Sequence, residues 1–96
     1  MKPSDLLNLH RDQVRDIVLR HRVASVKVFG SVLHGDDTDG SDLDLLVEPT
    51  AQTTMFDIGG IQFEVSELLG INVDVLTPRA LPESFRAKVM AEAQAL

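Results

Sequence analysis

The sequence has 96 residues, a net charge of −6 and no cysteine, with 44% hydrophobic and 25% charged residues and a mean hydropathy of +0.04. That balance fits a single small soluble domain, residues 1–96, and argues against disordered, membrane-spanning or disulfide-stapled architectures. The charge has the wrong sign for gripping a nucleic-acid backbone, which demands Lys and Arg against phosphates, so no direct nucleic-acid binding is expected.

The N-terminal stretch MKPSDLLNLHRDQ lacks an apolar core, and no later run approaches membrane-spanning length, so a cytoplasmic location and no membrane partner are expected. Ser4 is placed to cap a first helix carrying Leu7, His10, Val14, Ile17, Val18 and His21 on one face. Val23 to Phe29 reads as a strand, with Val26 and Val28 sharing a face and Lys27 opposite. GSVLHG then reads as a turn entering a short helix, and DDTDGS as a turn-rich loop.

Asp42 to Val47 is the second predicted strand. Thr54, with Asp57 three residues on, resembles a capping box opening a helix that faces inward through Ile61, Val65, Leu68 and Leu69 and stops at Gly70. Gly59 and Gly60 inside that helix together cost it on the order of 1–2 kcal/mol in propensity. Ile71 to Leu76 is a third strand, and Pro82 begins a last helix whose core face is Phe85, Val89 and Ala93. This alternation predicts an α/β or α+β fold with a small mixed sheet of three or slightly more strands, flanked by helices.

Five of the ten aspartates lie between Asp36 and Asp44, which singles that segment out. Asp36, Asp37 and Asp39 read mostly as solvated loop residues. Asp42 and Asp44 differ, because alternation along a strand puts them on one face while Leu43 and Leu45 face the core. Two carboxylates about 7 Å apart at their backbones repel each other, and a bound cation would offset that repulsion. In the third strand Val73 and Val75 suit the core, so Asp74 points the other way. If the two strands are neighbours, three carboxylates share a face suited to magnesium, which combines carboxylate oxygens with substrate phosphates. Two ions held there could activate an attacking oxygen and stabilise a leaving pyrophosphate. Gly30-Ser31 follows a strand, with a glycine where a phosphate must approach the backbone and a hydroxyl beside it.

Gly30-Ser31, ten residues, then Asp42-Leu43-Asp44, with Asp74 on a later strand, resembles the nucleotidyltransferase superfamily that includes DNA polymerase β. The likeness runs from VFGS through SDLDLLV to LLGINVDVLTPRAL and is strongest to the short minimal nucleotidyltransferases of prokaryotes, often paired with HEPN-type helical toxins. It implies a polymerase β-like core and a magnesium-dependent enzyme that moves a nucleoside monophosphate from ATP, or another triphosphate, to a hydroxyl. Gly30 and Ser31 would hold the triphosphate and Asp42 and Asp44 two metal ions. Asp74 would bind the catalytic ion and help deprotonate the acceptor. The sequence departs from the family's pattern at His34, where relatives commonly carry an arginine; by position His34 would contact the nucleotide, with less charge to offer phosphate. The implied partner is a HEPN-type toxin modified on a tyrosine. Two other readings are an antitoxin acting by contact alone and a small-molecule (antibiotic) nucleotidyltransferase. Lys27, His10 and His21 read as surface or helix-face residues, and Asp57 as a cap.

Overall fold

The computed structural model describes residues 1–96. Its first two helices are α1 (Pro3–Leu9) and α2 (Arg11–Arg20), where one continuous helix was expected. The chain breaks at His10 (φ −121°, ψ 21°), whose amide donates to the carbonyls of Leu6 and Leu7 while its own carbonyl accepts from Val14. The break lets α1 pack on the helices that follow while α2 lies along the first strand, so Leu7, Val14 and Val18 all reach the core. Ser4 is not the cap. Pro3 opens α1, no side chain of the preceding residue caps it, and the Ser4 amide donates instead to Asp37 Oδ2 at 2.8 Å.

Strand β1 (Val23–Phe29) runs directly into α3 (Gly30–His34), which Gly35 ends in the left-handed conformation. Strand β2 (Leu43–Pro49) returns antiparallel to β1. Helix α4 (Met55–Leu69) then carries the chain over the sheet to β3 (Val73–Leu76), which pairs with β2 in parallel, as a helical crossover permits. The Thr54–Asp57 capping box forms: Asp57 Oδ2 accepts from the Thr54 amide at 2.9 Å, and the Thr54 hydroxyl accepts from the Asp57 amide. Gly70 stops α4 at φ 69°.

Gly60 has a local purpose. A Cβ there would lie 2.7 Å from His21 Cε1, so the missing side chain makes room for an imidazole whose Nε2 is 3.0 Å from Glu64 Oε1 and whose Nδ1 is 3.6 Å from Asp57 Oδ1. Gly59 meets nothing within 4 Å. Its neighbours Phe56 and Phe63 are exposed on the same outward stripe of α4.

After a 3₁₀ turn (Pro78–Ala80), α5 (Glu83–Glu92) leads into β4 (Gln94–Ala95), an edge strand antiparallel to β1 that the sequence reading missed. The sheet order is β3-β2-β1-β4. One sheet face carries the larger core, where Leu43, Leu45, Val47, Val26, Val28, Val73 and Val75 meet the inward faces of α1, α2 and α4. The opposite face carries a smaller cluster, Phe29, Leu46 and Leu81, against which Val89 and Ala93 of α5 pack. Phe85, expected in the core, is 43% exposed, and α5 buries no residue fully. A helix lying over so small an apolar cluster has little to sink its side chains into.

Candidate active site

The strand register decides which carboxylates meet. Phe29 pairs with Asp44 across β1 and β2, and Asp44 pairs with Asp74 across β2 and β3. Asp44 and Asp74 therefore stand side by side on the face away from the larger core, as the alternation predicted. Asp42 sits in the loop one residue before β2, exposed, and not inside a strand as expected. That approach is ordered by a tight turn in which Ser41 Oγ accepts from the Thr38 amide at 2.9 Å and the Ser41 amide donates to the Thr38 carbonyl. A further bond from the Leu43 amide to the Asn72 carbonyl, 3.0 Å, ties the start of β2 to the start of β3.

Burial first, and then the neighbouring carboxylates of Asp74 and Asp42, push the Asp44 carboxyl up to about 6, with a hydrogen bond to Asp74 acting in the same direction. Such a cluster is uncomfortable without a counter-charge. As the side chains stand, no three His, Asp or Glu residues close around a point as a finished metal cage. The oxygen-rich donor set nevertheless suits a hard ion that takes its remaining ligands from water and substrate phosphates.

Gly30 sits against this cluster. Its φ is 76°, and a Cβ built on it would strike the Asp44 carboxylate, with Asp44 Cγ only 3.2 Å away. The glycine is thus required by the left-handed backbone and by the close approach of Asp44, whereas the sequence reading had assigned the space to a phosphate. Ser31 follows at the start of α3, half-buried. Helix α3 has only five residues, so phosphate affinity would rest on individual amides and the Ser31 hydroxyl more than on a helix dipole.

His34 lies at the far end of α3, and its Nε2 is 2.9 Å from Glu92 Oε2 on α5. Both residues line a cleft with Phe29, Gly30, Phe85, Lys88 and Val89. Of the loop aspartates, Asp36 and Asp39 are exposed as expected, but Asp37 is 5% exposed and serves as the long-range cap of α1. Burial alone would raise its carboxyl; the Ser4 amide and hydroxyl, its own amide and nearby Lys2 outweigh that and hold it below the usual carboxylate range. A partner 33 positions away leaves no local signal in the sequence.

A mixed sheet with in-register aspartates on neighbouring parallel strands, and a left-handed glycine pressed against one of them, describes a nucleotidyl-transfer scaffold. Residues 9–96 match the family model for the nucleotidyltransferase domain, and the chain belongs to that family of nucleotidyltransferase enzymes. It is 30% identical over 87 residues to a Methanocaldococcus jannaschii protein provisionally named a protein adenylyltransferase, covering 91% of this chain and 94% of that one. It is 26% identical over 89 residues to the protein adenylyltransferase MntA of Thermococcus cleftensis, covering 93% of this chain and 87% of that one. Among solved structures, one provisionally described as a minimal nucleotidyltransferase superposes with a TM-score of 0.85 at 35% identity, over 97% of this chain and 95% of that one. A toxin–antitoxin crystallised with AMP-PNP shares the fold, with a TM-score of 0.65 at 17% identity, over 97% of this chain and 71% of that one. No helix of the chain is long and apolar enough to cross a membrane.

Proposed function

We propose that this chain is a magnesium-dependent protein adenylyltransferase that moves AMP from ATP to a hydroxyl of a partner protein, a HEPN-type toxin that it thereby silences in the cytoplasm. The observation that carries the reading is the in-register Asp44–Asp74 pair, with the Asp44 carboxyl raised and Gly30 cleared of any side chain beside it. The names of the relatives support adenylyl transfer to protein, and the resemblance drawn from the sequence supports the toxin as acceptor.

In this reading Asp42, Asp44 and Asp74 hold two magnesium ions, which when bound neutralise the carboxylates and the triphosphate oxygens. The backbone at Gly30 and the Ser31 hydroxyl hold the phosphates, and His34 contacts the nucleotide from the end of α3. Asp74, the more exposed partner of the pair, accepts the proton of the acceptor hydroxyl as it attacks the α-phosphorus and pyrophosphate leaves. The chain's part in catalysis is positioning and electrostatics.

The test is a labelling reaction containing the chain, α-labelled ATP, magnesium and the protein encoded beside it, with Asp42→Ala/Asp44→Ala as control. Label on the neighbour that vanishes in the control supports the reading. No label from any of the four common triphosphates, with the two proteins still forming a complex, would favour an antitoxin acting by contact alone.

A further inference from the structure

The acidic site must take up an anion of several charges, and few of the chain's nine basic residues are free to help. Four arginines lie on or just after α2: Arg15 is held by Asp12 and the Leu96 carbonyl, Arg20 faces Glu64, Arg22 faces Asp57, and Arg11 bonds Asn8. Arg86 donates to the carbonyls of Arg79 and Leu81. Lys2 acts on Asp37. Arg79, on the 3₁₀ turn, is exposed and makes no ion pair, but it does not line the cleft beside Gly30. Lys27 pairs with Leu46 and Ala95 further along β1 and is not among the residues of the cleft beside Gly30. Lys88 remains. It lines that cleft, is exposed, and makes no ion pair.

The rest of the lining matches a nucleoside. Phe29, Phe85 and Val89 give the cleft an apolar wall, and its volume of roughly 310 Å³ sits at the small end of ligand sites. Phe85 is 43% exposed although it stands on a helix that packs on the sheet. Glu92 would repel phosphate, and its Oε2 lies 2.9 Å from His34 Nε2, a contact that occupies that ring nitrogen and adds to the need for a cation in the cleft.

From this we infer that the cleft between α3 and α5 seats the nucleoside triphosphate, with Lys88 supplying the phosphate-binding charge that His34 does not and Phe85 covering the base. This rests on the nucleotidyl-transfer reading and adds to it two residues on a helix outside the Gly-Ser and aspartate motifs. Gly30 lines the cleft, and Asp44 of the acidic site approaches the same glycine closely. A lysine–phosphate contact is a charge-assisted hydrogen bond whose loss weakens binding about tenfold to a hundredfold.

Calorimetric titration with magnesium separates the parts, using ATP, AMP and inorganic tripolyphosphate on the wild type, Lys88→Met, Lys88→Arg and Phe85→Ala. Lys88→Met should weaken ATP and tripolyphosphate by about tenfold or more, with Lys88→Arg recovering most of the loss. Phe85→Ala should weaken ATP and AMP by about tenfold, in line with loss of a stacked base, and leave tripolyphosphate unchanged. Both side chains are exposed, so both variants should fold. Wild type that binds ATP, with Gly30→Ala weakening it but Lys88→Met and Phe85→Ala within twofold, overturns the cleft and spares the transferase reading. Wild type that binds no triphosphate at all overturns both.

Discussion

Replacing Gly30 by alanine tests the site at its tightest point, and Gly35→Ala supplies a matched control. Both glycines are left-handed, at φ 76° and 75°. An alanine at either position should lose about 1–2 kcal/mol from the backbone alone. At Gly35 nothing lies within 4 Å of the new methyl, so that is the whole effect. At Gly30 the methyl overlaps the Asp44 carboxylate and lies 3.2 Å from Asp44 Cγ, so the carboxylate must turn away and Cγ must give by a few tenths of an ångström. Below about pH 6, where Asp44 holds its proton, that movement also breaks the hydrogen bond to Asp74, a further loss of about 1 kcal/mol. In a domain of this size each kcal/mol lowers the melting temperature by about 4–8 °C. At pH 5 Gly35→Ala should therefore melt several degrees low and Gly30→Ala a few degrees lower still. The larger contrast should be catalytic: a carboxylate displaced by about 1 Å lowers transfer about a hundredfold, whereas Gly35→Ala should keep its rate within a few-fold when assayed well below its melting point. Scanning calorimetry and transfer of label from α-labelled ATP measure the two quantities. Equal melting temperatures and equal rates for the two variants would refute the close approach of Asp44 to Gly30.

Three further outcomes are expected. Folded Asp44 keeps its proton up to about 6 while the unfolded carboxyl releases it near 3.8, so the fold loses stability as pH rises through that window. The gap is worth roughly 3 kcal/mol at face value and about 1 kcal/mol once partial exposure is allowed for. Asp44→Asn should accordingly raise the melting temperature of the metal-free protein by several degrees at pH 7.5, by about half as much at pH 5 and hardly at all at pH 3, and a gain at pH 3 as large as that at pH 7.5 would contradict it. Gly59→Ala should stabilise the fold by about 0.5–1 kcal/mol through helix propensity, whereas Gly60→Ala should destabilise it, because its methyl meets the His21 ring; urea midpoints rank the pair. Asp37→Ala should cost about 1–2 kcal/mol at pH 7 by removing the cap of α1. Because the folded Asp37 carboxyl lies below its usual range, that difference holds at neutral pH and shrinks as pH falls through the range, which denaturant titrations at pH 7 and pH 3 would reveal.

What the sequence made legible follows the range of the forces involved. Strand alternation put Asp44 and Asp74 on a shared face because side-chain direction is fixed by the adjacent backbone. Thr54, Asp57 and Gly70 marked the ends of α4 for the same reason, since caps act within one turn. The break at His10 was hidden because the apolar spacing runs on through it, and only packing on two different surfaces separates α1 from α2. β4 has two residues, too few for a period, and is a strand only because β1 has an open edge there. Phe85 was misassigned because helical spacing shows which residues share a face and not how deep a surface that face meets. The need for Gly60 was invisible for a comparable reason: its neighbour, His21, is distant in sequence.

Asp37 ties the segment that leads to the acidic site to the first helix of the chain. The loop from Gly35 to Asp42 has no helix or strand of its own, and one of its anchors is the bond from the Ser4 amide to Asp37, which spans 33 positions. The opposite end is held locally, by the turn at Thr38 and Ser41. A substitution that loosens α1 would therefore reach the segment that carries Asp42 without touching any residue of the site.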